Sequence, residues 1–160
     1  MPSRNKPVGI MFSKKILFAT DYSEASNAAL QVATNLARRD DATLLIVHVS
    51  ESEQYPVGEL FDEEPEPDEA EVDELKSVVP GDARVKYEHR LPYGDLGGTE
   101  RVKPADEILK LAEKEHPETI VVGSHGRSGL VHALMGGVAE SVSRGAACRV
   151  IIIKPSNGRN

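Results

Sequence analysis

The stretch KKILFATDYSEASNAALQVATNLARRDDATLLIVHV, residues 14–49, decides the fold. Its ends are apolar runs, KKILFAT finishing at Thr20 and TLLIVHV from Thr43 to Val49, continuous enough for strands buried on both faces. Between them, SEASNAALQVATNLARR places Ala25, Ala29, Val32, Ala33 and Leu36 at helical spacing. Ser23 is placed to cap the start of this helix, and Arg38 and Arg39 complement the carbonyl end of its dipole. Strand, helix, strand in this order is the pattern of a parallel sheet with covering helices, and the small apolar face lets the helix press close to it.

Outward from this unit the alternation continues. TIVVG at 119–123 and RVIII at 149–153 are short β-branched runs of the same buried kind. VKYEHRL differs: it alternates apolar with charged residues, puts Val85, Tyr87, His89 and Leu91 on one side, and fits a strand at the sheet edge. PADEILKLAEKE begins with a first-turn proline, Pro104, carries an Ala105, Ile108, Leu111, Ala112 stripe and stops at His116-Pro117. A last helix starts near Gly137 and ends at Gly145, read as a glycine cap after Arg144. The expectation is one α/β domain over residues 14–154, an open parallel five-stranded sheet with helices on both faces, Rossmann-like, flanked by tails 1–13 and 155–160.

With 160 residues, 39% apolar and 28% charged, the chain is of single-domain size, and 4% aromatic content without Trp points to an aliphatic, Ala-rich core. The single cysteine, Cys148, cannot form an internal disulfide, no run approaches the 18 or so apolar residues of a membrane span, and the opening MPSRNKPVGIMFSKK has only five consecutive apolar-type positions. A soluble, cytoplasmic protein is expected. The net charge of −7 is local: residues 51–74 hold twelve Asp or Glu and no Lys or Arg, which leaves 14 acids against 19 basic residues elsewhere, a formal +5. With three prolines in it, this acidic insertion reads as a solvated loop or disordered segment, and it lacks the ligand spacing of an EF-hand.

In an open parallel sheet ligands collect beyond the carboxyl ends of the strands, where strand order reverses. Two segments fit that face. One is Ala19-Thr20-Asp21-Tyr22-Ser23, which presents Asp21 as a free carboxylate suited to ribose hydroxyls. The other is GSHGRSGLVHALMGGV, residues 123–138: glycines at 123, 126 and 129 permit positive φ and close backbone approach, and Gly136-Gly137 opens a helix whose N–H groups attract an anion. A phosphate suits such a loop. Neither a Walker A sequence nor a GxGxxG after the first strand is present, so the loop is of another kind. The acidic insertion and the glycine-bearing loop 93–103 follow strands two and three and emerge on this same face.

Other candidates weigh less. His125 and Arg127 lie in the loop, facing either phosphate or solvent; His125 and His132 have no carboxylate placed to complete a metal set. His48 reads as a core histidine in a buried strand, and Cys148 as a small buried hydrophobe without a catalytic partner. No catalytic residue and no metal ligand are assigned.

KKILFATDYSEASNAAL, TLLIVHV, DEILKLAEKE and TIVVGSHGRSG with RGAACRVIIIK together resemble the universal stress protein family over most of residues 14–154. The resemblance implies strand order 3-2-1-4-5 and the ATP-binding branch, whose G-x2-G-x9-G-[S/T] motif matches Gly123, Gly126 and Gly136. It implies Asp21 near the ribose, Ala19, Val49 and Val122 around the adenine, and Gly123, Gly126, Gly136, Gly137 and Val138 along the phosphates. The implied cofactor is ATP, with or without Mg²⁺, or else ADP or AMP. The implied role is stress-response regulation rather than catalysis, with a slow ATPase or a nucleotide-free dimeric scaffold as alternatives. Expected partners are the nucleotide, a second copy paired through Arg149–Lys154 and an unidentified protein, with no nucleic acid and no membrane. The chain departs from the family at two places: Gly137 replaces Ser or Thr, removing a hydroxyl worth about 1 kcal/mol to a phosphate, and Ala19 replaces a frequent proline. Weakened nucleotide binding is the expectation.

Overall fold

A computed structural model describes residues 13–51, 67–93, 101–124 and 137–155. The elements run β1 (Lys15–Ala19), α1 (Glu24–Asp40), β2 (Thr43–Val47), α2 (Glu69–Ser77), β3 (Tyr87–Arg90), α3 (Pro104–Glu115), β4 (Thr119–Gly123), α4 (Gly137–Gly145) and β5 (Arg149–Ile153). All five strands pair in parallel in the order β3-β2-β1-β4-β5. The expected sheet and order are therefore present.

Alternate residues of each strand feed two cores. Ile16, Phe18, Leu44, Ile46 and Val121 pack with Ala29, Ala33 and Ala37 of α1 and Leu75 of α2. Leu17, Leu45, Val47, Ile120 and Val122 pack on the other face with Ala105 and Ile108 of α3 and Ala139 and Val142 of α4. Helices thus cover both faces. The alanine stripe sets α1 close to the sheet, with Ala29 and Ala33 fully buried. Ser23 caps α1, accepting from the Ser26 N–H, and Arg38 and Arg39 occupy its last turn. Pro104 stands in the first turn of α3, which ends at left-handed His116.

Four expectations need correction. The acidic insertion is not wholly a loop, because its end begins α2. Asp68 caps that helix by accepting from the Ala70 N–H at 2.8 Å, Glu69 and Glu71 complement the helix dipole, and Leu75 is only 2% exposed. β2 ends at Val47, short of the expected Val49, although beyond it the His48 N–H still donates to the Arg90 carbonyl at 3.2 Å and Ser50 bridges in parallel to Tyr93. β3 spans only Tyr87–Arg90; Val85 and Leu91 join the core, but Tyr87 is 42% exposed, since an edge strand is covered only on its inner side. Gly145 belongs to α4 itself rather than capping it, and a Cβ there would lie 2.5 Å from Leu109 Cδ1, the movable end of an α3 side chain.

Candidate functional site

With β1 between β2 and β4, chain connections leave the sheet in opposite directions from its centre, and a crevice opens where the ends of β1 and β4 part. The first wall is the exit of β1. Tyr22 takes a left-handed conformation at φ 63°, turning the chain sharply into α1, and its N–H donates to Thr20 Oγ1 at 3.0 Å. The Asp21 carboxylate is not free as expected. Its Oδ1 accepts from the Ser23 N–H at 3.0 Å and from Ser26 Oγ at 2.5 Å, while the Asp21 N–H donates to Ser26 Oγ at 3.2 Å. Half-burial on its own would raise the Asp21 pKa, but the hydroxyls of Ser23 and Ser26 and the backbone N–H groups outweigh it and hold the carboxyl below its ordinary 3.8. The acid stays ionised at neutral pH.

The second wall is the end of β4. Gly123 is its last residue, with φ outside the left-handed range; a Cβ there would lie 2.9 Å from the Ala25 carbonyl carbon and 3.0 Å from the Ser26 nitrogen. Its need for glycine therefore includes the close approach of β4 to α1, which the sequence reading assigned to the phosphate alone. Ser124, fully buried, donates its N–H to the Ile153 carbonyl at 2.8 Å. Past the end of β2, Val49 is buried and Ser50 Oγ donates to Glu71 Oε2 at 2.7 Å, tying α2 to the crevice rim.

Ala19, Asp21, Val49, Val122, Gly123, Gly137 and Val138 all line this one crevice of about 1130 Å³. That size lies somewhat above the roughly 300–1,000 Å³ of small-ligand sites. Gly126 and Gly136, with His125, Arg127 and His132, lie outside the described residues. The sequence reading missed His48, Glu51, Glu71, Arg101 and Lys103, which also line the crevice. The rule that each parallel strand delivers its following segment to this face had already brought the acidic insertion and 93–103 here, without singling out these side chains. His48 is not a core histidine: half-buried, it places Nδ1 2.9 Å from the Thr20 carbonyl oxygen and its ring 4.6 Å from that of Tyr22. Cys148 is partly buried against the α3–α4 core, and burial pushes its thiol pKa up, which favours the unreactive thiol. Among the described residues no group of three or more His, Cys, Asp or Glu could hold a metal ion, and no helix is long and apolar enough to cross a membrane.

Sheet order, two-sided helical cover and a crevice at the strand-order reversal define a doubly wound α/β domain of the Rossmann-like class. The model of the universal stress protein family matches residues 13–154, and the chain belongs to that family. Similar proteins include universal stress protein MJ0531 of Methanocaldococcus jannaschii, 32% identical over 88% of this chain and 82% of its own. Universal stress protein YxiE of Bacillus subtilis is 31% identical over 90% of this chain and all of its own length. Two solved structures share the fold. One is a universal stress protein in complex with cAMP, with TM-score 0.62 and 24% identity over 90% of this chain and 98% of that one. The other is the Archaeoglobus fulgidus universal stress protein in complex with dAMP, with TM-score 0.59 and 24% identity over 90% of this chain and all of that one.

Proposed function

We propose that this chain is a cytoplasmic regulatory protein that binds ATP or a related adenine nucleotide in the crevice and shows a protein partner different surfaces when loaded and empty. The observation that carries this reading is the meeting, in one crevice, of three chemistries a nucleotide requires. Val49 and Val122 offer apolar contact to a base. Asp21, held ionised, offers an acceptor to ribose hydroxyls. The start of α4 at Gly137 offers N–H groups and positive dipole to phosphate. The family resemblance adds Gly123, Gly126, Gly136 and Val138 to the phosphate contacts and Ala19 to the adenine surround. The cAMP and dAMP complexes of relatives support adenine as the base. Mg²⁺ fits this reading as an ion carried in on the phosphates, since the described residues offer it no ligand cluster.

Calorimetric titration with ATP, ADP and AMP, with and without Mg²⁺, tests the reading. Saturable binding of any of the three supports it; no heat at millimolar nucleotide overturns it and favours a nucleotide-free scaffold, for which Gly137 in place of the motif's Ser or Thr speaks. Phosphate release during incubation with ATP would identify the chain instead as a slow ATPase.

The second partner in this reading is another copy of the chain. β5 is the outermost strand, and Val150, Ile151, Ile152 and Ile153 on it are only partly buried. No charge or proline interrupts this run, so its edge favours strand pairing about a twofold axis. Light scattering should report a dimer for the wild type and a monomer for Ile152→Pro, which removes an edge hydrogen bond. A monomeric wild type at micromolar concentration rules the dimer out.

A further inference from the structure

We infer that Arg101, with Lys103 beside it, makes the crevice count phosphates, favouring nucleoside di- and triphosphates over monophosphates; this rests on the nucleotide reading above. Both residues come just before α3, and both line the crevice with Asp21, Gly123 and Gly137. They are the Lys and Arg members of its described lining, whereas Asp21, Glu51, Glu71 and Asp106 are its acids. Two of those acids are engaged within the protein, Asp21 with Ser23 and Ser26, and Glu71 with Ser50.

Ion pairing separates Arg101 from most of the described arginines, though not from Arg149 of β5, which does not line the crevice. Arg38, Arg39, Arg84, Arg90 and Arg144 each stand within 4.0 Å of a carboxylate oxygen. Arg101 makes no hydrogen bond or ion pair with any described residue. A guanidinium at the crevice wall that no described residue engages presents a planar fork of donors, and that fork matches two oxygens of one phosphate. Its side chain is exposed. The charge pattern also directs a phosphate chain. Glu51 and Glu71 stand on the side where β2 leads to α2 and repel phosphate there, while Arg101 and Lys103 attract it toward the start of α3. Each added phosphate brings more negative charge under that attraction, so affinity rises with chain length.

Titration of the wild type, Arg101→Gln, Arg101→Lys and the surface control Arg144→Gln with ATP, ADP and AMP tests the inference. Arg101→Gln should weaken ATP about tenfold, the loss of one charge-assisted contact, weaken ADP less, and leave AMP within about twofold. Arg101→Lys should keep most of the ATP affinity, and Arg144→Gln all of it. Melting temperatures should match throughout, since both arginines are exposed. Equal losses for all three nucleotides, or an unchanged ATP affinity in Arg101→Gln, overturn the phosphate-counting role while leaving the nucleotide reading intact. A folded wild type that binds none of the three overturns both.

Discussion

A Cβ added at Gly123 would lie 2.9 Å from the Ala25 carbonyl carbon, whereas one added at Gly137 would meet no atom of the described residues within 4 Å, although both glycines line the same crevice. Around Gly123 the wall is closed: the end of β4, the first turn of α1 and the Asp21–Ser26 hydrogen bonds fit against one another with little space between. Around Gly137 the start of α4 is open, and neighbouring Val138 is 39% exposed. The two regions show that glycines of one sequence motif can be required by different things. Gly123 is needed by the scaffold whatever binds, whereas Gly137 leaves room that a ligand or a side chain can use.

The sharpest way to break this comparison is Gly123→Ala. The atoms in its way are backbone atoms of α1, which cannot swing aside as a flexible side chain would. Overpacking of this kind costs about 2–3 kcal/mol. At roughly 2–4 °C per kcal/mol for a chain of this size, the melting temperature should fall by about 4–12 °C. Calorimetric melting without nucleotide is the measurement, because the effect is expected in the empty protein. An unchanged melting temperature would show that the closed wall gives way, and the contrast with Gly137 would be lost.

The same contrast explains what could be read in advance. Strands β1, β2, β4 and β5 and the stripes of α1 and α3 were legible because burial on both faces of a parallel sheet writes itself as unbroken apolar runs between helical stripes. Side-chain partners were not. Asp21 looked free because nothing in the spacing D-Y-S-E-A-S says that the turn at Tyr22 folds Ser23 and Ser26 back onto it. α2 was hidden by charge. Twelve acids within residues 51–74 dominate that composition, yet Asp68 with Glu71 three residues on is a helix-start signal, and Leu75 supplies the buried anchor. Arg101 went unnoticed because 93–103 was read for its glycines, and a cation's importance rests on which carboxylates stand near it.

Ser26→Ala probes the closed wall more gently. It removes the hydroxyl that donates to Asp21 Oδ1 and accepts from the Asp21 N–H, at a cost of about 1–2 kcal/mol, because the half-buried carboxylate can recover part of the loss from water. The cost should depend on pH. Asp21 in the folded protein titrates below its unfolded value of 3.8, so its contribution is complete above that value and is lost as pH falls through the folded pKa. Removing Ser26 Oγ moves the folded pKa back up. The stability gap between wild type and variant, measured by urea unfolding, should therefore be widest from about pH 5 upward and should narrow toward pH 3. A gap that stays constant over this range would show that the hydroxyl does not act through the ionised carboxylate.

Gly137→Ser probes the open wall and should have the smallest effect, of opposite sign. The new Cβ meets no atom of the described residues within 4 Å, so the protein should accept it without strain, and serine is at least as compatible as glycine with the first turn of a helix. Apart from a few tenths of a kcal/mol, the melting temperature of the empty protein should not move. The change should appear in binding. A hydroxyl at the start of α4 restores the donor that the family motif places beside the phosphates, and one added hydrogen bond to a charged group tightens ATP by up to about tenfold, or 1.4 kcal/mol. Adenosine, which carries no phosphate, serves as the internal control and should bind both forms alike. Tighter ATP with unchanged adenosine and unchanged melting would assign the open space to the phosphate. Equal or weaker ATP binding by a variant that melts like the wild type would mean that the opening at Gly137 faces something other than the nucleotide, and the functional half of the comparison would fall while its packing half stood.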